Sequence, residues 1–176
     1  MPILHKFLNH SINPETEILI IGTFNPDVAG NEVSFFYGRP RNFLWRYLPF
    51  AFNKEDLKYS TDGEKFDFMK KNKIDFIDLI KIVDVEVGQE LNFDDNYLDG
   101  RIIEYNDILN LVANLKNLKK IIFTRSTFIG IPNIRLSIEN IEQYCNIHDI
   151  STIRIISPAR FWRNDRQLMW DNFIQL

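Results

Sequence analysis

Residues 18–49 of this sequence read ILIIGTFNPDVAGNEVSFFYGRPRNFLWRYLP, and they decide the fold class. The first four form an apolar run with the length and β-branched content of a strand buried on both faces. The run ends at Gly22, and TFNPD at 23–27 has the composition of a turn. An aromatic and basic segment follows, and a helix is predicted to begin near Asn42, a good N-cap residue. Polar residues at the carboxyl end of a buried strand are where α/β proteins tend to place their sites.

Apolar patterns along the rest of the chain predict three more strands, each separated from the next by a helix. The strands are expected at 74–87 (ending in an irregular segment), 119–124 and 151–156, and the helices at 62–72, 105–118, 135–147 and 165–174. This alternation indicates one α/β domain over residues 1–176, with three layers (α/β/α) around a short, mostly parallel four-stranded sheet. Right-handed crossovers would bring the loops at 22–27 and 157–160 to one edge of that sheet. Residues 1–14 are interpreted as a lead-in.

Composition limits the classes of function. The single cysteine, Cys145, excludes an intramolecular disulfide framework and an iron–sulfur cluster held by four cysteines, and its apolar surroundings favour a buried inert thiol. His5 and His10 lack ligand spacing and suitable companions, so we expect no metal. The sequence has no phosphate loop of the GxxxxGK type, so we expect no nucleotide cofactor either. With no signal peptide and no apolar run of about 20 residues, the expectation is a cytoplasmic protein. Asp78 lies inside an apolar run, where a carboxylate needs a partner.

The distribution of charge matters more than the net charge of −3. Segments 35–52 and 154–170 each carry +3, which leaves −9 on the remainder of the chain. Two arginine-rich segments on an acidic body would make a local anion-binding face, because arginine suits bidentate phosphate contacts. The alternative is that these arginines pair with surface acids.

Three stretches together resemble the uracil-DNA glycosylase superfamily: GTFNP at 22–26, FFYGRPRNFLW at 35–45 and SPAR at 157–160. The mismatch-specific and hypoxanthine-excising types are the most similar, and the order of the strands between the motifs also fits. In the mismatch-specific type, one apolar residue separates glycine from asparagine, whereas here Thr23 and Phe24 both intervene. The aspartate and histidine of the uracil-specific enzymes have no match.

The resemblance implies a monofunctional DNA glycosylase that flips a deaminated or mismatched base, uracil or hypoxanthine, out of DNA and hydrolyses its N-glycosidic bond in base excision repair. Asn25 matches the asparagine that positions the attacking water, and Asn42 matches the catalytic asparagine of the second motif. The expected base-binding residues are Phe24 and Tyr37, and the expected DNA-binding residues are Arg39, Arg41, Ser157, Arg160 and Arg163. No lysine lies in either arginine-rich segment, so a Schiff-base lyase step has no support. Small monofunctional hydrolases of the kind that the resemblance implies need no partner, so we expect a monomer.

Four of these residues also have a plainer interpretation. Asn25 could form only an Asx-turn, Asn42 could only cap the helix, Tyr37 could only pack, and Ser157 could only end a strand. Two other classes of function therefore stay open. One is a non-catalytic member of the same fold that binds nucleic acid or a nucleotide, and the other is a protein-interaction module, which the clustered arginines disfavour.

Overall fold

In a computed structural model, which describes residues 1–175, the chain forms two sheets and six α-helices. The strands are β1 (Pro2–Leu4), β2 (Ile18–Gly22), β3 (Ile74–Asp78), β4 (Ile80–Asp84), β5 (Ile102–Tyr105), β6 (Lys120–Phe123) and β7 (Ser151–Arg154). The helices are α1 (Leu44–Ala51), α2 (Asp62–Asn72), α3 (Asp95–Leu98), α4 (Ile108–Asn114), α5 (Pro132–Ile147) and α6 (Asn164–Gln175), and a 3₁₀ turn covers Asp99–Arg101.

The central sheet has four strands in the order β3-β2-β6-β7, and all of its neighbouring pairs are parallel. Strand β2 is fully buried, and its residues alternate between two cores because successive side chains point to opposite faces. Leu19 and Ile21 belong to the core shared with α4 and α5. Ile18 and Ile20 belong to the core shared with α1, α2 and α6. The predicted three-layer α/β/α fold is confirmed.

Strand β4 departs from the prediction of one strand over 74–87. The chain leaves the central sheet at Leu79, and β4 then pairs antiparallel with β1 and β5 in a second sheet of three strands, ordered β1-β4-β5. The N–H groups of Leu79 and Ile80 donate to the carbonyl oxygens of Gly22 and Thr23 at 2.9 and 3.0 Å, so the turn between the sheets is itself hydrogen-bonded. The lead-in predicted at 1–14 therefore contains a strand.

Helix boundaries differ from the prediction at three places. Helix α1 begins at Leu44 with Phe43 in the cap position, although Asn42 Oδ1 still accepts a hydrogen bond from the Leu44 N–H at 2.9 Å. Helix α4 is shorter than the predicted 105–118, because Asp107 caps it by accepting from the Asn110 N–H and it ends at Asn114. Helix α5 begins earlier than predicted, with Pro132 in its first turn, where a missing N–H costs nothing.

Glu17 joins the starts of β2 and β6 to the end of α2. Its carboxylate accepts from Lys119 Nζ and Lys73 Nζ, each at 2.5 Å, and these bonds lower its pKa from 4.5 to about 2. Because the folded pKa is depressed, this stabilisation is present above pH 4.5 and is lost as the pH falls toward 2. We therefore expect Glu17→Gln to flatten the fall in melting temperature between these pH values.

The control for that prediction is Glu55→Gln, which removes an exposed carboxylate with no ion pair among the described residues. It should leave the acid slope of the melting temperature unchanged, and the Glu17 effect should shrink in high salt. Equal slopes for the wild type and Glu17→Gln would contradict the assignment.

Candidate functional site

A cavity of about 880 Å³ opens at the carboxyl edge of the central sheet. Its lining includes the last residues of β2 and β3 and the segments that follow β2, β6 and β7, so the predicted meeting of the loops at 22–27 and 157–160 is confirmed. Seven of the nine predicted site residues line it: Phe24, Asn25, Tyr37, Arg39, Asn42, Ser157 and Arg160. Arg41 and Arg163 lie outside the lining.

Asn25 is held on its oxygen side by two donors. Asn31 Nδ2 donates to Asn25 Oδ1 at 3.0 Å, and Arg39 Nη2 donates to the same atom at 3.1 Å. The interpretation of Asn25 as only an Asx-turn is wrong, because the Asp27 N–H donates to Leu4 O instead. The backbone around Asn25 is fixed by the N-terminal segment as well, since the Lys6 N–H donates to Asn25 O at 2.7 Å.

Arg39 lies inside the cavity rather than free on the surface. Its guanidinium stacks on the ring of Phe93, 3.7 Å from the centroid, while it donates to Asn25. Burial lowers the pKa of Arg39, and the negative charge of Asp78 opposes that shift. Arg39 is thus part of the cavity wall, where its contacts with Phe93 and Asn25 hold it in place.

Tyr37 adopts a left-handed backbone conformation, with φ of 55°, which a residue with a side chain rarely does. Its hydroxyl lies 3.0 Å from Thr124 Oγ1. Since the Thr124 hydroxyl donates to Ile21 O, Tyr37 must be the donor to Thr124. Burial raises the pKa of Tyr37 well above its ordinary value, and the charge of Asp78 adds to the shift, so the phenol stays protonated.

The innermost part of the cavity is formed by Gly22, Tyr37 and Asp78, with His5 behind Asp78. A Cβ on Gly22 would lie 2.2 Å from Asp78 Oδ1 and 2.6 Å from the Tyr37 hydroxyl oxygen, so only glycine fits there. Asp78 Oδ2 is 2.6 Å from His5 Nε2, and both side chains are buried. The Phe7 N–H donates to His5 Nδ1 at 3.1 Å, so Nε2 must carry the proton that His5 shares with Asp78. His5 is thus the partner that Asp78 was expected to need.

Asn42 and the loop after β7 are joined by backbone contacts. Asn42 and Ala159 form an antiparallel bridge, the Phe43 N–H donates to Pro158 O at 2.9 Å, and the Arg160 N–H donates to Arg41 O at 2.7 Å. Asn42 does accept a hydrogen bond at the start of α1, as its plainer interpretation required, but it also lines the cavity. Among residues 1–175, no other partner occupies the second lone pair of the Asn42 oxygen or its amide N–H₂ group.

Apart from Arg39, the arginines of the two arginine-rich segments fall into three groups. Arg46, Arg154 and Arg163 pair with Asp56, Glu142 and Asp165, as the alternative interpretation of surface ion pairs predicted. Arg41 and Arg160 are exposed beside the cavity and have no carboxylate partner among the described residues. Arg166 instead donates to the carbonyl oxygens of Ser157 and Ala159, which stabilises the loop carrying Arg160.

An acidic wall, which we define as residues 93–95, closes the other side of the cavity. Asp95 forms an ion pair with Arg125 and accepts from Thr23 Oγ1 at 3.2 Å. Burial raises the pKa of Asp95, and the charge of Arg125 opposes the rise. Asp94 is exposed at the rim, where the hydrogen bonds from Asn96 lower its pKa and the charges of Arg125 and Arg160 add smaller contributions.

Sequence reasoning missed several residues that line the cavity. Thr124 and Arg125 directly follow β6, so the rule that drew attention to 22–27 would have found them as polar residues at a strand's carboxyl end. Phe93, Asp94 and Asp95 lie in a segment that reads as an acidic surface loop, and no local signal places them against Arg39.

Metal-ligand clusters and membrane-spanning helices are both absent from residues 1–175. In that part of the chain, no three His, Cys, Asp or Glu side chains are grouped so that they could hold a metal ion. No helix there has the length and apolarity needed to cross a bilayer. Cys145 is buried, as predicted, and burial raises its pKa to about 11, so the thiol is a poor nucleophile.

Comparison with known proteins gives one structural likeness. No protein-family model matches the chain, and no curated protein matches it. Among solved structures, the chain is similar to a solution NMR structure from Methanosarcina acetivorans described as a "putative Uracil DNA glycosylase". The TM-score is 0.64, the sequence identity is 22%, and the alignment covers 93% of this chain and 92% of that chain. At this identity the likeness shows the fold, which is the uracil-DNA-glycosylase-like α/β fold predicted from the sequence.

Proposed function

We propose that the chain is a monofunctional DNA glycosylase that hydrolyses the N-glycosidic bond of a flipped uracil or hypoxanthine in base excision repair, acting as a monomer. The observation that carries the proposal is the cavity at the carboxyl edge of the sheet. It brings Asn25, Asn42 and Tyr37 together beside the exposed Arg160. Its volume of about 880 Å³ is ample for a base and its sugar, since small-molecule sites span roughly 300–1,000 Å³.

Hydrolysis requires that a water oxygen bond to C1′ while the C1′–N bond breaks and its electron pair leaves with the base. The proton that the water loses balances the charge on the departing base. Amides are too weakly basic to take that proton at neutral pH, so orientation of the water and stabilisation of the leaving base must supply the acceleration. No lysine lines the cavity in the described part of the chain, which favours a hydrolase over a Schiff-base lyase.

A flipped nucleotide leaves an empty space in the base stack, and the protein must make contacts that hold the duplex in that state. Arg160 has a φ of 79°, a left-handed conformation that is strained for a residue with a side chain and is often found at functional sites. Its backbone is fixed by the Arg41 carbonyl, so both guanidiniums lie on adjoining, hydrogen-bonded loops. We propose that Arg160 fills the space the base vacates and that Arg41 and Ser157 bind phosphate.

The alternative function, a non-catalytic binder of nucleic acid or a nucleotide, has a specific observation in its favour. The side-chain oxygens of Asn25 and Asn42 both accept hydrogen bonds within the protein, so neither is wholly free to orient a water. A non-catalytic binder needs the same cavity and the exposed Arg41 and Arg160 beside it, but it needs no positioned water.

Excision assays would distinguish the glycosylase from the non-catalytic binder. Labelled duplexes and single strands carrying uracil, hypoxanthine or mismatched thymine are incubated with excess protein, and abasic sites are counted for the wild type, Asn42→Ala and the control Asn9→Ala. We expect slow excision by the wild type, a rate on the order of 100-fold lower for Asn42→Ala if it orients the water, and no change for Asn9→Ala. Salt-dependent DNA binding without excision of any base would favour the binder.

A further inference from the structure

The orientation of the Asn25 amide is decided by its neighbours. Amide oxygen and nitrogen are hard to tell apart by shape, so a hydrogen-bond partner must distinguish them. Arg39 provides that distinction, because a guanidinium has only donors. Its Nη2 lies 3.1 Å from the Asn25 side chain, so the atom facing it must be the oxygen; a flipped amide would oppose N–H to N–H.

Both donors to Asn25 are themselves fixed. Asn31 is only 6% exposed, and its Nδ2 donates to Pro26 O at 2.6 Å as well as to Asn25 Oδ1. Arg39 is braced by its stacking on Phe93. An arrangement held from two sides in this way gives the amide one orientation.

With two donors on Oδ1, both lone pairs of the Asn25 oxygen are used. The amide N–H₂ has no acceptor among the described residues, and Asn25 lines the cavity. Asn25 therefore offers the cavity a hydrogen-bond donor, whereas orienting an attacking water for proton loss needs an acceptor.

We infer that Asn25 is a donor to a carbonyl oxygen of the extruded base, and that Asn31 and Arg39 are positioning residues that hold its amide in that orientation. The inference rests on the proposed function. When the C1′–N bond breaks, its electron pair spreads onto the carbonyl oxygens of the base, and a fixed N–H donor stabilises that charge in the transition state. The substrate class is then a base with a carbonyl oxygen in reach, as in uracil and hypoxanthine, and a base that carries only an amino group there is disfavoured.

Asn25→Asp is the discriminating variant, since a carboxylate keeps the oxygen that accepts from Arg39 and Asn31 but cannot donate. A donor role predicts that Asn25→Asp and Asn25→Ala both lower the single-turnover rate by roughly 100-fold at saturating protein. A water-orienting role predicts that Asn25→Asp keeps or exceeds the wild-type rate, which would overturn the inference. Asn9→Asp, an exposed site outside the cavity, controls for the added negative charge on DNA binding.

The positioning residues are tested by Arg39→Met and Arg39→Lys. At saturating protein, where weaker DNA binding no longer limits the rate, Arg39→Met should lower the rate and Arg39→Lys should restore part of it, because an ammonium can still donate to Asn25 Oδ1. Equal rates for the wild type and Arg39→Met under these conditions would contradict a positioning role.

A binding measurement keeps the inference separate from the proposed function. The probe is a duplex carrying 2′-fluoro-2′-deoxyuridine, whose glycosidic bond resists hydrolysis, compared with the same duplex carrying an abasic site. Tighter binding of the base-bearing duplex by the wild type, lost in Asn25→Asp, would support the donor even if no substrate were cleaved. Excision by the wild type with unchanged base preference in Asn25→Asp would leave the proposed function standing and the inference wrong. No base preference in the wild type would also overturn the inference.

Discussion

Replacing Gly22 with alanine should destabilise the protein and remove most of its activity. A Cβ there would lie 2.2 Å from Asp78 Oδ1 and 2.6 Å from the Tyr37 hydroxyl, and neither group can retreat freely. Asp78 is hydrogen-bonded to His5, and Tyr37 to Thr124. Overpacking of this kind costs about 1–3 kcal/mol, and displacement of the inner cavity should lower the excision rate on the order of 100-fold.

Chemical denaturation and single-turnover excision would measure the two effects of Gly22→Ala. The matched control is Gly63→Ala in α2, where a Cβ meets its nearest neighbour at 3.9 Å. Gly63 is the second residue of that helix and has no positive φ, so alanine fits its backbone and should stabilise the protein by roughly 0.4–1 kcal/mol. If Gly22→Ala behaved like Gly63→Ala, the packing described for the inner cavity would be wrong.

Replacing His5 with alanine should be the most destabilising single change in the N-terminal segment. The Nε2–Oδ2 contact with Asp78 is 2.6 Å, and the two side chains are 4% and 9% exposed. Asp78 has no other side-chain hydrogen bond among the described residues, so the variant leaves a buried carboxylate without a partner. Breaking a buried pair in this way costs about 3–5 kcal/mol.

His10→Ala is the comparison for His5→Ala, because His10 makes the same 2.6 Å contact with a buried aspartate, Asp75. Asp75 keeps two backbone donors, the N–H groups of Asn13 and Phe76, each at 2.8 Å. The loss should therefore be only about 1 kcal/mol. Asp78→Asn should also be mild, since an amide oxygen can still accept from His5. Equal destabilisation by the two histidine variants in urea titrations would refute this account of Asp78.

The sequence predicts the central sheet because its strands are short, apolar and separated by helices. The prediction fails where strands that are distant in the sequence pair with each other. Residues 74–84 form one continuous apolar pattern, yet they belong to two sheets with a turn at Leu79. A periodic apolar pattern predicts which residues are buried but not which strand pairs with them. The strands β1 and β5 were therefore not predicted.

The candidate site is predictable at its rim and not in its interior. The motif residues at 22–27 and 157–160 meet because parallel strands end at one edge of the sheet. The contacts inside the cavity, which determine its chemistry, join residues that are far apart in the sequence. His5 meets Asp78 across 73 residues, and Arg39 lies over Phe93 from a loop that looks like surface. Neither contact follows from propensity or spacing, because each depends on how separate loops pack against one another.

The most direct test of the glycosylase proposal is mass spectrometry of the products from a duplex carrying uracil or hypoxanthine, incubated with excess wild-type protein. We expect free base and an abasic strand in equal amounts, with the strand uncut until alkali is added. If the protein still binds the DNA but the nucleotide in every duplex stays unaltered, the glycosylase proposal is contradicted and the non-catalytic binding function is favoured.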